Sequence, residues 1–271
     1  MIAAAAEASL TIPSTGFVNG SLYIVITLCV GIFVQSAAGF AAGLLIVPSL
    51  LFLGFTIPEA SVALLVATVP QNAFGVYSLR DSIEPKKLVW PGMGRLTFFP
   101  VGVLTLDWVE QSFPSERIRQ FVGGVVLAVT VATILFRVQP REKIASIWAW
   151  IAFPISGFLQ GLVGMGGPAM VFWVTAHNWT TRQVRGFLFG MYLISVGPAI
   201  AVLLFYFGPR LFQSATVALA SIPMLLVVTY LGLKAGNWLG RERLRRVTLG
   251  LLLLMGIVGL ASPWIRMLTP E

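Results

Sequence analysis

The sequence predicts an all-α integral membrane protein that crosses the bilayer several times, and three observations lead to this fold class. Of the 271 residues, 57% are apolar and 10% are charged, whereas soluble domains carry roughly 25% charged residues. No charged residue or histidine occurs from Ala8 to Pro58 or from Ile144 to Ala176. Since a spanning helix needs about 20 apolar residues, each of these runs is long enough for a helical hairpin. The third observation is a motif that occurs twice.

The repeated motif is a glutamine followed by a glycine-rich break in an apolar run. It reads QSAAGFAAG at 35–43 and QGLVGMGGP at 160–168. A break in the backbone is tolerated inside a bilayer only where protein or a water-filled cavity satisfies its polar groups. Two breaks in corresponding halves of one chain are therefore the best sequence indication of a transporter's binding site.

The chain divides into two halves of similar layout. Apolar stretches bounded by charges or by Gly/Pro clusters predict ten helical elements, at 19–37, 41–56, 61–79, 88–107, 119–136, 145–163, 167–178, 186–208, 212–233 and 247–264. We predict an N-terminal tail at 1–18, a first transmembrane repeat at 19–137 and a second at 145–266. Because each repeat has five elements, the two repeats would lie inverted across the membrane. The elements at 41–56 and 167–178 are too short to span upright, which predicts broken or re-entrant hairpins.

The distribution of charge predicts the orientation. The formal net charge of +8 would suit nucleic acid, but the basic residues lie in short loops between apolar segments, so we exclude nucleic acid as a partner. If the elements alternate sides, fourteen of the eighteen Lys and Arg residues fall on one side. The positive-inside rule makes that side cytoplasmic, with both termini outside an inner cell membrane. A model with eight crossings would lose this asymmetry.

The breaks are the first candidates for a substrate site. Helix N-termini inside the membrane offer unpaired N–H groups and a partial positive charge, and glycine lets an anion approach the backbone. We expect these groups to hold an anion without a cationic side chain. The alternative is that the glycines only allow tight helix packing. The candidate substrate-binding residues of the two breaks are Gln35, Gly39, Ala42, Gly43, Gln160, Gly164, Gly166 and Gly167.

Two proline breaks lie inside longer elements, at Pro70 and Pro198. Each frees backbone groups and brings polar side chains to the depth of the membrane, unless it is only a locally satisfied kink. They add Gln71, Asn72 and Ser195 to the candidates, with Thr68 and Tyr192 as further members of a cavity wall.

Arg95 is the cation that lies farthest into an apolar element. We expect its side chain to snorkel to the cytoplasmic surface. The alternative is that Arg95 faces an inner vestibule and recruits anions.

Enzymatic chemistry finds no support in the sequence. It contains no nucleophile elbow, metalloprotease pair, Walker loop or dinucleotide fingerprint, so we expect neither catalysis nor a cofactor. Cys29 is the single cysteine and His177 the single histidine, which leaves no spacing that suggests a metal site.

The two motifs and the two-halved layout resemble the sulfite exporter TauE/SafE family. The resemblance rests on Q-x-x-x-G-F-x-x-G at 35–43 and on GFLQGLVGMGGP at 157–168. The chain departs from the family at Ala41 and Ala42, where glycines are common. Membership implies a lipid-embedded permease for small sulfur-containing anions such as sulfite, sulfonates or organosulfur acids, with homo-oligomerisation left open. An anion channel built from paired re-entrant hairpins, or a membrane scaffold that transports nothing, remain alternatives.

Overall fold

The computed structural model describes residues 14–38, 41–135, 147–239 and 241–268, and these parts of the chain are helical. Short 3-10 turns at Arg80–Ser82 and Gly208–Leu211 join neighbouring helices. The α-helices, in chain order, are α1 Ser14–Ala38, α2 Ala42–Phe52, α3 Ile57–Leu79, α4 Pro85–Ser112, α5 Ser115–Leu135, α6 Ile147–Val163, α7 Gly167–Thr175, α8 Thr181–Phe207, α9 Phe212–Ala220, α10 Ile222–Leu239 and α11 Arg241–Leu268.

The lengths of the helices fit a membrane protein. In the described part of the chain, four stretches are long and apolar enough to cross a bilayer, at Gly20–Ala37, Ile57–Ser82, Ser115–Leu135 and Thr181–Ala220. By contrast, α2 has 11 residues and α7 has 9, which gives about 17 and 14 Å at 1.5 Å per residue. Neither helix can cross an apolar layer of about 30 Å. Each of these two short helices follows one of the predicted breaks.

Local sequence explains where two of the long helices begin. The side chain of Thr56 caps α3 and that of Thr180 caps α8, and each forms a capping box with the residue three places later, Glu59 or Gln183. Such a box satisfies two N–H groups that the first turn leaves unpaired. α1 already begins at Ser14, inside the segment predicted as a tail, while the predicted repeat boundaries at 137 and 145 lie outside the described residues.

One predicted element is not a continuous helix. The stretch 212–233 is not a single helix, because it is divided at Ser221 into α9 and α10. Pro223 lies two residues after this point. Its ring lacks an N–H and crowds the carbonyl four residues earlier, which weakens the helical ladder where α9 meets α10. Proline alone does not end a helix in this protein, since Pro70 lies inside α3 and Pro198 inside α8.

The most extensive helix contacts join the two halves of the chain. α4 packs on α6, α5 on α11, α1 on α10, and α3 on α8. If α9 and α10 are taken together as the fourth element of the second half, the fourth element of each half packs on the first element of the other. The third and fifth elements pack on their own counterparts.

Glycines allow α4 and α6 to approach very closely. A Cβ at Gly157 would collide with the carbonyl oxygen of Arg95, and a Cβ at Gly161 would collide with that of Phe99. Gly157 and Gly161 are four residues apart, so they lie on one face of α6, as in the small-xxx-small pattern of membrane helix pairs. Gly157 and Gly161 therefore serve close packing of the two helices. The close crossing also places the backbone of Arg95 beside Gly157 along the axis of α6.

Four helix ends meet at one end of the molecule. Gly186 near the start of α8 lies against Leu79 at the end of α3, Gly190 lies against Leu88 of α4, and Gly94 of α4 lies against Pro154 of α6. The end of α3 and the starts of α4, α6 and α8 therefore share one side of the bundle. We name this side the basic face, because its described residues include Arg80, Lys86, Lys87, Arg182 and Arg185.

Candidate functional site

The two glycine-rich breaks touch each other in the interior. At the second break Gly164 closes α6 with φ +68°, while the N–H of Met165 donates to the carbonyl of Leu159. The N–H of Gly164 donates to the carbonyl of Gln160 at 3.1 Å, which is the αL type of helix C-terminus and favours glycine. A Cβ at Gly43 of the first break would lie 3.1 Å from the carbonyl oxygen of Gly164. Backbone from both halves therefore meets at one point of the fold.

A cavity of about 610 Å³ lies beside this contact. Its wall is formed by the two breaks and by the middle parts of α3, α4 and α8, and it continues along α5, α7 and α11. The residues that line it are Gln35, Ala41, Ala42, Gly43, Leu44, Leu64, Leu65, Thr68, Asn72, Arg95, Leu96, Phe99, Val129, Thr130, Thr133, Gln160, Gly164, Met165, Gly167, Pro168, Val171, Phe172, Thr175, Tyr192, Ser195, Val196, Ala199, Leu249 and Leu252.

Arg95 lies in the wall of this cavity and is only 2% exposed. Its Nε donates to the hydroxyl of Ser195 at 3.1 Å, Nη1 to the hydroxyl of Ser156, and Nη2 to the carboxamide oxygen of Gln160 at 3.4 Å. The sulfur of Met170 lies 3.4 Å from Nη1. Every one of these partners is neutral. Among the described residues, no carboxylate lies within ion-pair distance of the guanidinium.

This placement corrects two sequence-based expectations. Arg95 does not snorkel to the surface, and the site is not free of cationic side chains. Arg95 lies ten residues after the start of α4, about 15 Å along the helix axis, and the close α4–α6 crossing holds its backbone against Gly157. From there its side chain is buried against α6, α7 and α8 instead of reaching the basic face.

Two side chains from α6 bond to the backbone of Gly166. Its N–H donates to the carboxamide oxygen of Gln160 at 2.9 Å, and its carbonyl accepts from the hydroxyl of Ser156 at 2.6 Å. Both side chains also accept from Arg95. A Cβ at Gly166 would lie 2.8 Å from Nη1 of Arg95, so only glycine leaves room for this arrangement. Ser156 was not among the predicted site residues, although its position one helical turn before Gln160 indicates that the two side chains share a face of α6.

The first break is built differently. There the carboxamide of Gln35 donates to Gln71 of α3 at 3.2 Å, and Gln71 donates to the hydroxyl of Ser36 at 3.1 Å. This glutamine pair ties α1 to α3. Ala41 has φ 92°, a left-handed conformation that is costly for a residue with a Cβ. The two glutamines of the repeated motif therefore have different partners. In the described part of the chain, a cation contacts Gln160 but not Gln35.

The structure brings most of the predicted site residues together. Those in the cavity wall are Gln35, Ala42, Gly43, Asn72, Gln160, Gly164, Gly167 and Ser195, with Thr68 and Tyr192. Gln71 and Gly166 are not in the wall, but they form hydrogen bonds with the wall residues Gln35 and Gln160. Gly39 lies outside the described residues. The carboxamide oxygen of Asn72 is buried and has no hydrogen-bond partner among the described residues.

The wall of the cavity reaches one side of the molecule. It includes Thr175, the last residue of α7, and Thr133, two residues before the end of α5. Along α4 and α8, which begin at the basic face, the wall extends no farther than Phe99 and Ala199. Beyond that point the interior is filled with apolar side chains that are at most 2% exposed, including Leu50, Ile57, Leu106, Leu203 and Leu211.

Together, the apolar helices, the interrupted hairpins and a buried arginine in an internal cavity define a multi-pass helical membrane protein of the permease class. The model of the family described as sulfite exporter TauE/SafE matches residues 23–259. The chain therefore belongs to the sulfite exporter TauE/SafE family, whose members are membrane transporters of sulfur anions and not enzymes. No curated protein and no solved structure matches the chain.

Proposed function

We propose that this protein is a secondary transporter that binds a small sulfur-containing anion at Arg95 and exposes it alternately to the two sides of the cell membrane. The substrate site would consist of Arg95, Gln160, Ser195 and Tyr192 together with the first turn of α7. The guanidinium supplies the charge, and the N-terminus of α7 adds N–H groups and the positive end of a helix dipole.

The burial of Arg95 without a carboxylate partner is the observation that carries this proposal. An unpaired charge taken out of water costs several kcal/mol even after relaxation. Neutral hydrogen-bond acceptors offset part of this cost and leave the net charge uncompensated. An anion that enters the cavity would complete the pairing, so the site is built to favour a negative solute.

The pairing of the helices supports two repeats related by a two-fold axis. The fourth element of each half packs on the first element of the other half. Such reciprocal contacts are the pattern that two-fold symmetry produces. Inverted repeats of this kind allow one bundle to rock against the other around a central site. By the positive-inside rule the basic face is cytoplasmic, so the structure would be the inward-open state with both termini outside.

Binding measurements on the purified full-length protein test the role of Arg95. We expect sulfite or a simple sulfonate to raise the thermal unfolding temperature of the wild type. Arg95→Gln should weaken this binding about 10- to 100-fold, since a hydrogen bond to a charged group contributes roughly 1.5–3 kcal/mol. Arg95→Lys keeps the positive charge but loses the planar set of N–H donors of the guanidinium. Its affinity for the anion should therefore lie between those of the wild type and Arg95→Gln.

Arg210→Gln is the matched control. Arg210 forms an exposed ion pair with Glu110 at 3.2 Å, at the end of the bundle opposite the basic face, so its replacement should leave binding unchanged. Equal binding by wild type and Arg95→Gln would refute the site. Flux into liposomes that saturates and shows counterflow would favour a carrier, whereas unitary currents would favour the channel alternative, for which the structure gives no specific indication.

A further inference from the structure

The cavity is much larger than an inorganic sulfur oxyanion. A four-atom ion such as sulfite displaces on the order of 60 Å³, about twice the 30 Å³ share of one water molecule. The cavity measures about 610 Å³, which is within the range of sites for organic ligands of roughly 300–1,000 Å³. Sulfite alone would leave most of this space to water or to apolar surface.

Groups that can donate to an anion are concentrated at one end. Arg95, Tyr192 and Gln160 meet there: the guanidinium carbon lies 5.8 Å from the centre of the Tyr192 ring, and the hydroxyl of Tyr192 lies 2.7 Å from where a Cβ at Gly167 would be. In the described part of the chain, the carboxamide nitrogen of Gln160 donates to no other group. Ser195 accepts from Arg95 and donates its own proton to the carbonyl of Met191 at 2.6 Å, so it orients the guanidinium and does not donate to an anion. We name Arg95, Gln160 and Tyr192 the polar end of the cavity.

The threonines of the wall do not extend this polar end. Thr68, Thr130, Thr133 and Thr175 each donate the hydroxyl proton to a backbone carbonyl of their own helix at 2.7–3.0 Å. A hydroxyl that has used its proton in this way can accept a hydrogen bond but cannot donate one to an anion. The remaining wall is largely apolar and includes Leu44, Leu64, Leu65, Val129, Leu249 and Leu252.

The charges of the wall limit the charge of the ligand. Arg95 is the one cationic side chain among the described residues of the wall, and no described carboxylate lines it. A second anionic group on the ligand would find no cation, and an ammonium group would find no carboxylate. Burying either one unpaired costs free energy. The wall therefore fits a ligand with one negative charge and an uncharged remainder.

We propose that the preferred substrate is a monoanionic sulfonate with an apolar chain of several carbons, whose head binds the polar end while its chain lies along α5 and α11. This proposal rests on the proposed function and narrows it. It predicts weaker binding of sulfite, of the dianion sulfoacetate and of the zwitterion taurine. It also predicts that affinity rises with the length of the chain.

The experiment measures the affinity of the purified full-length protein, in an uncharged detergent, for methane-, propane-, butane- and hexanesulfonate. We expect affinity to rise by up to about fourfold for each added methylene, the ratio that corresponds to about 0.8 kcal/mol per buried CH₂. Sulfite, sulfoacetate and taurine are measured alongside. Hexanoate, which has the same chain and a carboxylate head, tests whether the site requires the sulfonate group.

Two variants of α11 show where the chain binds. Leu249→Asn places an amide in the apolar wall and should lower the ratio of hexanesulfonate to methanesulfonate affinity several-fold. Leu251→Asn is the control: Leu251 is 39% exposed, two residues farther along the same helix and outside the wall, so the ratio should stay at the wild-type value. Because each ratio is taken within one protein, a loss of stability does not affect it.

The outcomes separate this inference from the proposed function. If sulfite and methanesulfonate bind as tightly as hexanesulfonate, and Arg95→Gln weakens binding of all three about 10- to 100-fold, the chain preference is refuted and the transport site stands. If hexanoate binds as tightly as hexanesulfonate, the sulfonate head is refuted. If Arg95→Gln leaves binding unchanged, or no probe binds the wild type, the proposed function fails as well.

Discussion

Gly43 and Gly164 lie in contact, because a Cβ at Gly43 would be 3.1 Å from the carbonyl oxygen of Gly164. The two residues belong to different halves of the chain and to different breaks. Their contact places the first turn of α2 beside the end of α6, next to the cavity that holds Arg95. Several measurable consequences follow from the geometry around this point.

Gly164→Ala should strongly destabilise the protein. A Cβ there would lie 2.5 Å from the hydroxyl of Ser61 and 2.9 Å from Val47, in addition to the cost of φ +68°. Gly54→Ala is the control, since Gly54 has φ +96° but no atom within 4 Å of the added Cβ. We expect about 1 kcal/mol for Gly54→Ala and at least about 2 kcal/mol for Gly164→Ala, measured by unfolding in detergent. Equal losses would show that the collision is harmless.

Ala41→Gly and its neighbour Ala42→Gly should change stability in opposite directions. Ala41 has φ 92°, so glycine removes a strain of roughly 1 kcal/mol. Ala42 begins α2 with its side chain 1% exposed, so glycine there loses buried surface and gains chain entropy in the unfolded state. Thermal unfolding of the two variants measures the difference. A loss of stability in Ala41→Gly would show that the backbone at this break is not strained.

Ser156→Ala should weaken anion binding without preventing folding. The hydroxyl of Ser156 bonds to both Arg95 and the carbonyl of Gly166, so its removal leaves the guanidinium and the second break less fixed. We expect a loss of about 3- to 10-fold in affinity, in line with one hydrogen bond of about 1 kcal/mol. Ser221→Ala removes a hydroxyl bonded to Val217 outside the cavity wall. If both variants bind equally well, Ser156 does not position Arg95.

Gly161→Ala should separate α4 from α6. The added Cβ would collide with the carbonyl of Phe99 and lie 2.7 Å from the backbone nitrogen of Val103. Because backbone atoms cannot move away as a side chain can, we expect a loss of more than about 2 kcal/mol together with loss of binding. Gly197→Ala on α8, where no atom lies within 4 Å, should be neutral or slightly stabilising. Retention of stability in Gly161→Ala would contradict the close crossing.

Labelling of introduced cysteines tests the direction in which the cavity opens. Cys29 is the single cysteine, so Cys29→Ala provides a background without thiols. In that background Thr175→Cys, at the end of α7 in the wall, should react with a membrane-impermeant maleimide added from the cytoplasmic side. Leu203→Cys, in the apolar packing and 1% exposed, should not react. Labelling of Thr175→Cys from the outside alone would reverse the proposed orientation.

Features that depend on local sequence could be predicted. The existence of the helices, the short helices after the breaks and the presence of Gln160 and Gly164 in one cavity wall follow from spacing, from glycine and from proline, which act over a few residues. Many helix ends were predicted less well: α3 begins at Ile57 and α8 at Thr181, whereas the predicted elements start at 61 and 186. Pro223 contributes locally to the division of 212–233 at Ser221, which was missed because no charged residue interrupts the run.

The sequence by itself determined that this is a helical membrane protein with two interrupted hairpins, because hydrophobicity and backbone chemistry are properties of short stretches of chain. Only the tertiary structure decided the position of Arg95. Its bonds reach Ser156, Gln160 and Ser195, which lie 61, 65 and 100 residues away. Whether such a side chain extends to the surface or turns inward depends on which neighbouring helix covers it and how closely. The distance between α4 and α6 is set by the glycines of α6. The residues of α4 alone do not show which helix lies against Arg95.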